Sequence, residues 1–197
     1  MAQAGWPARQ PRGPGSSAAP RRAIRRERDT VSLKQHRHES AQTVRFAVLT
    51  FSDSRDEASD RGGSYLVERI EEAGQRVVRR ELCADDAALV AACVRSAVVQ
   101  EDVDLVLTTG GTGVAPRDMA YDTLKELFDS EIPGFGELFR WLSYGEIGSA
   151  TILSRAIGGL LGGKVVLALP GSPKALRLAM DEIVLKEAGH LVSQTRG

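Results

Sequence analysis

The stretch Val103-Asp104-Leu105-Val106-Leu107-Thr108-Thr109-Gly110-Gly111-Thr112-Gly113 decides the fold class. Its first half is an apolar run of strand length, as expected of a strand buried on both faces of a parallel sheet. Its second half is a glycine- and threonine-rich turn at the carboxyl end of that strand, where open α/β sheets bind ligands. The glycines let backbone N–H groups approach a ligand, and the hydroxyls of Thr109 and Thr112 add donors that suit phosphate oxygen. The turn lacks the Gly-Lys-Ser/Thr ending of a P-loop and the spacing of a dinucleotide fingerprint. Arg117-Asp118 follows. A carboxylate beside a phosphate needs a metal ion or a proton between them.

Upstream, Arg45-Phe46-Ala47-Val48-Leu49-Thr50-Phe51 reads as a first buried strand ending at Ser52-Asp53. Residues 62–73 read as a helix closed by Gly74, with Asp60 as a cap or its free N–H groups as an anion site. Residues 76–82 read as a second strand. Asp85 reads as the N-cap of a helix burying Leu89, Val90, Cys93, Val94 and Val98. Downstream, helices are expected over 122–128 and 134–144. Strands at 152–157 and 164–169 join across Gly162-Gly163, and a last helix runs over 174–192. This order predicts an α/β three-layer sandwich: a mostly parallel sheet, helices on both faces, and a small β-hairpin near residues 152–169.

The chain has 197 residues, enough for one domain with a core. No run approaches a membrane span. Residues 1–45 carry ten basic against three acidic residues, and residues 46–197 carry 16 against 23. An acidic body argues against nucleic acid as the main partner. Residues 1–43 form a basic extension rich in Arg, Pro, Gly and Ser, expected to be disordered. A tail, a targeting segment and a start-site artefact are all open readings of it. The domain is expected over 44–197. Cys83 and Cys93 lack metal-ligand spacing and are expected as two reduced, buried small hydrophobes. His36 and His38 lie in the polar leader and converge on no motif.

Parallel strands bring Ser52-Asp53, Asp85-Asp86, the GGTG loop and Pro170-Gly171-Ser172-Pro173-Lys174 to one sheet edge, which makes that edge the candidate site. Asp85, Asp86 and Asp118 are candidate metal-bearing carboxylates, with helix capping as the alternative role of Asp85 and Asp118. Lys174 at a helix start opposes the dipole, which points to an anion nearby or to a solvated side chain. Phe135, Phe139, Trp141 and Tyr144 read either as core or as an oligomer interface.

Thr108–Gly113 with Arg117-Asp118, Gly134-Phe135-Gly136-Glu137, Glu146-Ile147-Gly148-Ser149, Leu153-Ser154-Arg155-Ala156 and Leu169–Lys174 together resemble the MoaB/Mog family of molybdenum-cofactor biosynthesis proteins. The stretch Phe135 to Gly148 is most similar to the MoaB branch. The resemblance covers residues 44 to about 193. It implies a homo-trimer, or a homo-hexamer of two trimers, with other molybdenum-cofactor biosynthesis proteins as possible partners; the cytoplasmic location is expected from the two cysteines read as reduced. It implies an adenylyltransferase that moves AMP from Mg²⁺-ATP to the terminal phosphate of molybdopterin and releases pyrophosphate. A non-catalytic molybdopterin carrier or scaffold is the alternative, since the family contains both. By the resemblance, Asp85 and Asp118 are the metal-site and catalytic carboxylates. Thr109, Gly110, Gly111, Thr112, Gly113, Ser149, Ser154, Pro170, Gly171, Ser172 and Lys174 hold the pterin and its phosphate. Ser52, Asp53, Gly62 and Gly63 line the nucleotide side.

Overall fold

The computed structural model describes residues 43–196. The expected basic extension, except Thr43, lies outside the described residues, as do His36 and His38. The described chain builds a six-stranded sheet in the order β2-β1-β3-β6-β5-β4. Strands β1 (Arg45–Phe51), β2 (Arg76–Cys83), β3 (Leu105–Thr109) and β6 (Lys164–Leu169) run parallel, while β5 (Ile157–Leu161) and β4 (Ser130–Glu131) are antiparallel to their neighbours.

Side-chain alternation along the central strands makes two cores. Phe46, Val48, Leu105, Leu107, Val165 and Leu167 face one side. There they meet α1 (Arg61–Glu72), α4 (Pro133–Ile147), α5 (Pro173–Ala179) and α6 (Leu185–Thr195). Ala47, Leu49, Phe51, Val106, Val166 and Ala168 face the other side, against α2 (Ala87–Val98) and α3 (Ala120–Leu127). The three-layer architecture is therefore present. The chain leaves β1 for β2 on one side and returns to β3 on the other. The crevice between the carboxyl ends of β1 and β3 is a topological switch point.

Five local readings are corrected. The strand expected at 152–157 is a 3-10 helix, Gly148–Leu153, and the true strand is Ile157–Leu161. Gly158 and Gly159 hide that strand from a hydrophobicity reading. Both are packed places: a Cβ on Gly159 would lie 2.3 Å from the ring of Phe128, and one on Gly158 would lie 2.8 Å from Leu167. The hairpin turn stays at Gly162-Gly163, both at positive φ (56° and 74°), as a two-residue turn between twisted strands requires. The last helix starts at Pro173 under a Ser172 cap and is broken by a π segment, Met180–Val184.

Asp86, not Asp85, caps α2, accepting from the N–H groups of Ala88 and Leu89. Capping, not metal binding, is therefore the role of Asp86. The cysteines are joined as a disulfide, Cys83–Cys93. Their ten-residue spacing carries no motif because strand and helix meet only through the fold.

The amino end of the sheet is tied by one buried acid. Asp104 accepts from the backbone N–H and guanidinium of Arg45 and from Arg196. Burial raises its pKa, but the hydrogen bonds from Arg45 and the charges of Arg196 and Arg45 outweigh it and hold the carboxyl below its usual range. A depressed value means the stabilisation is complete above the ordinary aspartate range and is lost as pH falls through the depressed value. Asp104→Ala should cost about 3 kcal/mol by denaturant titration at pH 7. That deficit should shrink in acid, and a pH-independent deficit would contradict the assignment.

Candidate functional site

A cleft of about 910 Å³ opens at the carboxyl edge of the sheet. Its floor and walls come from the ends of four parallel strands: Ser52-Asp53 after β1, Asp85 after β2, Gly110–Gly113 after β3, and Pro170–Lys174 after β6. The fourth wall is α4, which presents Phe139, Ser143, Glu146 and Ile147. These four fall one or two turns apart on a single helix face, so a helical-wheel reading of 134–147 could have found them.

The loop is held where side chains cannot fit. A Cβ on Gly110 would lie 2.1 Å from the carbonyl oxygen of Phe51, and its φ is +95°. A Cβ on Gly111 would lie 2.4 and 2.6 Å from the two oxygens of Asp85. One on Gly113 would lie 2.4 Å from Asp118 Oδ2. The glycines thus let two carboxylates seat against the loop backbone.

Each carboxylate is half used. Asp85 Oδ1 accepts from the N–H groups of Met119 (3.2 Å) and Ala120 (3.1 Å). It therefore caps α3, whose own N-cap residue Met119 offers no side-chain bond. Asp118 Oδ2 accepts from Ala115 N at 2.9 Å. Asp85 Oδ2 and Asp118 Oδ1 accept nothing from the described residues. Asp53 Oδ1 accepts from Asp85 N at 2.9 Å, which fixes the Asp85 backbone. Burial pushes the Asp85 carboxyl up, the two N–H bonds pull it back, and the charges of Asp118 and Asp53 push it up further. The net direction is upward, and burial is its main cause.

Cations line the same cleft. Arg55, Arg117 and Lys174 line it and have no ion pair among the described residues. Arg155, unassigned by the sequence reading although its motif was singled out, is committed to the protein. It donates to the carbonyls of Thr112 (3.2 Å), Gly113 and Asp118 (3.3 Å) and pairs with Asp122 at 2.9 Å. Its guanidinium also lies 4.5 Å from the centre of the Tyr121 ring. Arg155 is the clamp that shapes residues 112–118.

Among the described residues, the buried hydroxyl oxygens Thr108 Oγ1, Thr109 Oγ1 and Ser154 Oγ have no hydrogen-bond partner. Buried hydroxyls normally find one, so these oxygens have bonding capacity left over. Of the residues singled out from sequence, Ser52, Asp53, Asp85, Gly110, Gly111, Thr112, Gly113, Asp118, Ser154, Pro170, Gly171, Ser172 and Lys174 line the cleft. Thr109 is buried just beneath it, and Ser149 is exposed on the neighbouring 3-10 helix. Gly62 and Gly63 are not in the lining. Gly63 donates to Asp60, and a Cβ there would lie 2.1 Å from Asp60 Oδ2. Asp60 is buried and also bonded by Thr50 and Arg80, so the Gly62-Gly63 pair serves a helix start.

A family model described as "Probable molybdopterin binding domain" matches residues 47–190. The molybdenum cofactor biosynthesis protein B of Bacillus cereus is 46% identical over 162 residues, which is 82% of this chain and 96% of that protein. A crystal structure of a molybdenum cofactor biosynthesis protein B superposes with a TM-score of 0.77 at 46% identity, covering 79% of this chain and 97% of that one. The tungsten cofactor synthesizing protein MoaB of Pyrococcus furiosus superposes with a TM-score of 0.71 at 35% identity, covering 79% and 99%.

A raised Asp85 pKa means that ionising it opposes folding. The cost is absent below the ordinary aspartate range and grows as pH rises through the raised value. Asp85→Asn keeps an oxygen for Met119 and Ala120. It should therefore raise the thermal midpoint at pH 7, with the gain vanishing in acid. A variant less stable than wild type at pH 7 would contradict this reading.

Proposed function

This chain belongs to the MoaB/Mog family of molybdenum-cofactor biosynthesis proteins, and from that membership we propose that it is a molybdopterin adenylyltransferase. The observation that carries the reading is the charge pattern of one cleft: two half-used carboxylates, Asp85 and Asp118, share it with Arg55, Arg117 and Lys174, cations without an ion pair among the described residues. A phosphorylated ligand alone has no use for the carboxylates, and a metal alone has no use for the cations. A metal–polyphosphate complex uses both.

The donor set fits Mg²⁺, which takes one or two carboxylates and completes its shell with water and phosphate oxygen. Asp85 and Asp118, seated against Gly111 and Gly113, would hold it through their free oxygens. Bound there, the ion would neutralise charge on the phosphates of ATP.

The residues divide the work. Thr109, Thr112, Ser154, the loop backbone at Gly110 and the N–H groups of Gly111–Gly113 orient the pterin and its terminal phosphate, with Pro170, Gly171, Ser172 and Ser149 at the rim. Lys174 and Arg117 attract phosphate, and Ser52, Asp53 and Arg55 face the nucleotide. A terminal phosphate oxygen of molybdopterin forms a bond to the α-phosphorus of ATP. The bond from that phosphorus to the bridging oxygen breaks, and pyrophosphate leaves with the electron pair. Positioning and electrostatics carry such a transfer without a proton-moving side chain.

The exposed apolar residues Trp141, Tyr144, Ile147, Ile152 and Leu153 lie on α4 and the 3-10 helix after it. This surface supports a homo-oligomer, a trimer or a pair of trimers, while Phe135 and Phe139 are core. Among the described residues no helix is long and apolar enough to cross a membrane. We take the cytoplasm as the working compartment.

Asp118→Asn should lower the rate of pyrophosphate release about 100-fold or more while leaving the pterin dissociation constant, read by its fluorescence, within about threefold. Full activity in that variant would remove the metal role. Trp141→Glu with Tyr144→Glu should convert the oligomer to monomer by light scattering. An unchanged mass would show that this surface is not the interface.

A further inference from the structure

Away from the cleft, one carboxylate faces two sulfurs. Glu81 and Cys83 are two residues apart on β2, so their side chains share a face of the sheet. Cys93 reaches the same place from α2, and the disulfide joins the two elements. Glu81 Oε1 lies 3.4 Å from Cys83 Sγ and 3.1 Å from Cys93 Sγ. The other oxygen, Oε2, is taken by Arg79, whose Nε donates at 2.9 Å and whose Nη2 donates as well. Arg79 orients the carboxylate and leaves Oε1 aimed at sulfur.

A disulfide has no proton to give, so an ionised oxygen gains nothing by approaching it. The placement suits a reduced pair, in which the oxygen faces thiol protons or a cation that replaces them. Among the described residues, this is the one group of three His, Cys, Asp or Glu whose ligand atoms all lie within 4.8 Å of one another.

Two thiolates and a carboxylate oxygen are a ligand set for zinc, with a fourth position open to water. Tetrahedral bonds of about 2.3 Å to sulfur and about 2.0 Å to oxygen would separate sulfur from oxygen by about 3.5 Å, near what is seen here. The Cα atoms of the cysteines are 7.3 Å apart, which leaves room for two sulfurs to flank an ion. The charges balance: three negative ligands meet a divalent cation and the Arg79 guanidinium. Arg79 also supplies the outer support that metal-bound carboxylates require.

We propose that Cys83, Cys93 and Glu81 form a redox-gated site for a thiophilic divalent cation. The disulfide closes the site and its reduction opens it. In opening, a dithiol reductant delivers two electrons and two protons to the S–S bond and is itself oxidised to a disulfide. The cation then displaces the two thiol protons as it binds.

The test uses the full chain, reduced, freed of reductant without oxygen, and titrated with Co²⁺ as a coloured stand-in for Zn²⁺. One equivalent should bind with a thiolate-to-cobalt charge-transfer band, and Zn²⁺ should bleach it. The disulfide form and Cys93→Ser should show no such band. Arg79→Gln, a substitution at a half-buried strand position, should weaken binding about 10-fold. Absence of binding overturns the proposal, as does binding without the thiolate band, which would put the cobalt on histidines or carboxylates elsewhere. An Arg79→Gln protein with wild-type affinity overturns the role given to Arg79.

Discussion

The backbone at Gly110, Gly111 and Gly113 lies closer to its neighbours than any side chain permits. Gly110 packs on the Phe51 carbonyl, Gly111 on both oxygens of Asp85, and Gly113 on Asp118. That contact joins the ends of three parallel strands into one edge. It brings two carboxylates to one loop, although 33 residues separate them in sequence. Substitution by alanine would push either the loop or the acids away, and the cleft would lose its floor.

Around that contact the protein spends stability on placement. Asp85 is partly buried, capped onto α3 and crowded by the charges of Asp118 and Asp53, a costly environment for an ionised group. Asp104, at the other end of the same sheet, is also buried but is met by Arg45 and Arg196. The contrast is informative: where the fold needs stability it pairs the acid, and at the cleft it leaves the acid short of positive charge. Such an acid is poised for a cation that arrives with a ligand. Arg155 contributes rigidity instead of charge to the site, since its donors are spent on the loop carbonyls and Asp122.

The sheet and the loops gathered at its carboxyl edge are legible because buried parallel strands are continuous apolar runs and their carboxyl turns are glycine-rich. What escaped was set by tertiary packing. β5 was displaced in the reading because Gly158 and Gly159 carry no side chains, and their role under Phe128 and Leu167 exists only in the fold. The cap on α3 escaped because Asp85 reaches it from another element. Gly62-Gly63 can be read either way because a helix start and an anion site use the same N–H groups; here the buried Asp60 accepts from that of Gly63. The disulfide escaped because a strand and a helix bring its halves together.

The central claim is that this cleft makes a bond and does not merely hold a pterin. The most direct measurement is mass analysis of the pterin after incubation of the full chain with molybdopterin, ATP and Mg²⁺. The reading predicts a pterin heavier by one adenylyl group, with one pyrophosphate released for each. Bound pterin recovered unchanged, with no pyrophosphate, would contradict it and leave the protein a carrier.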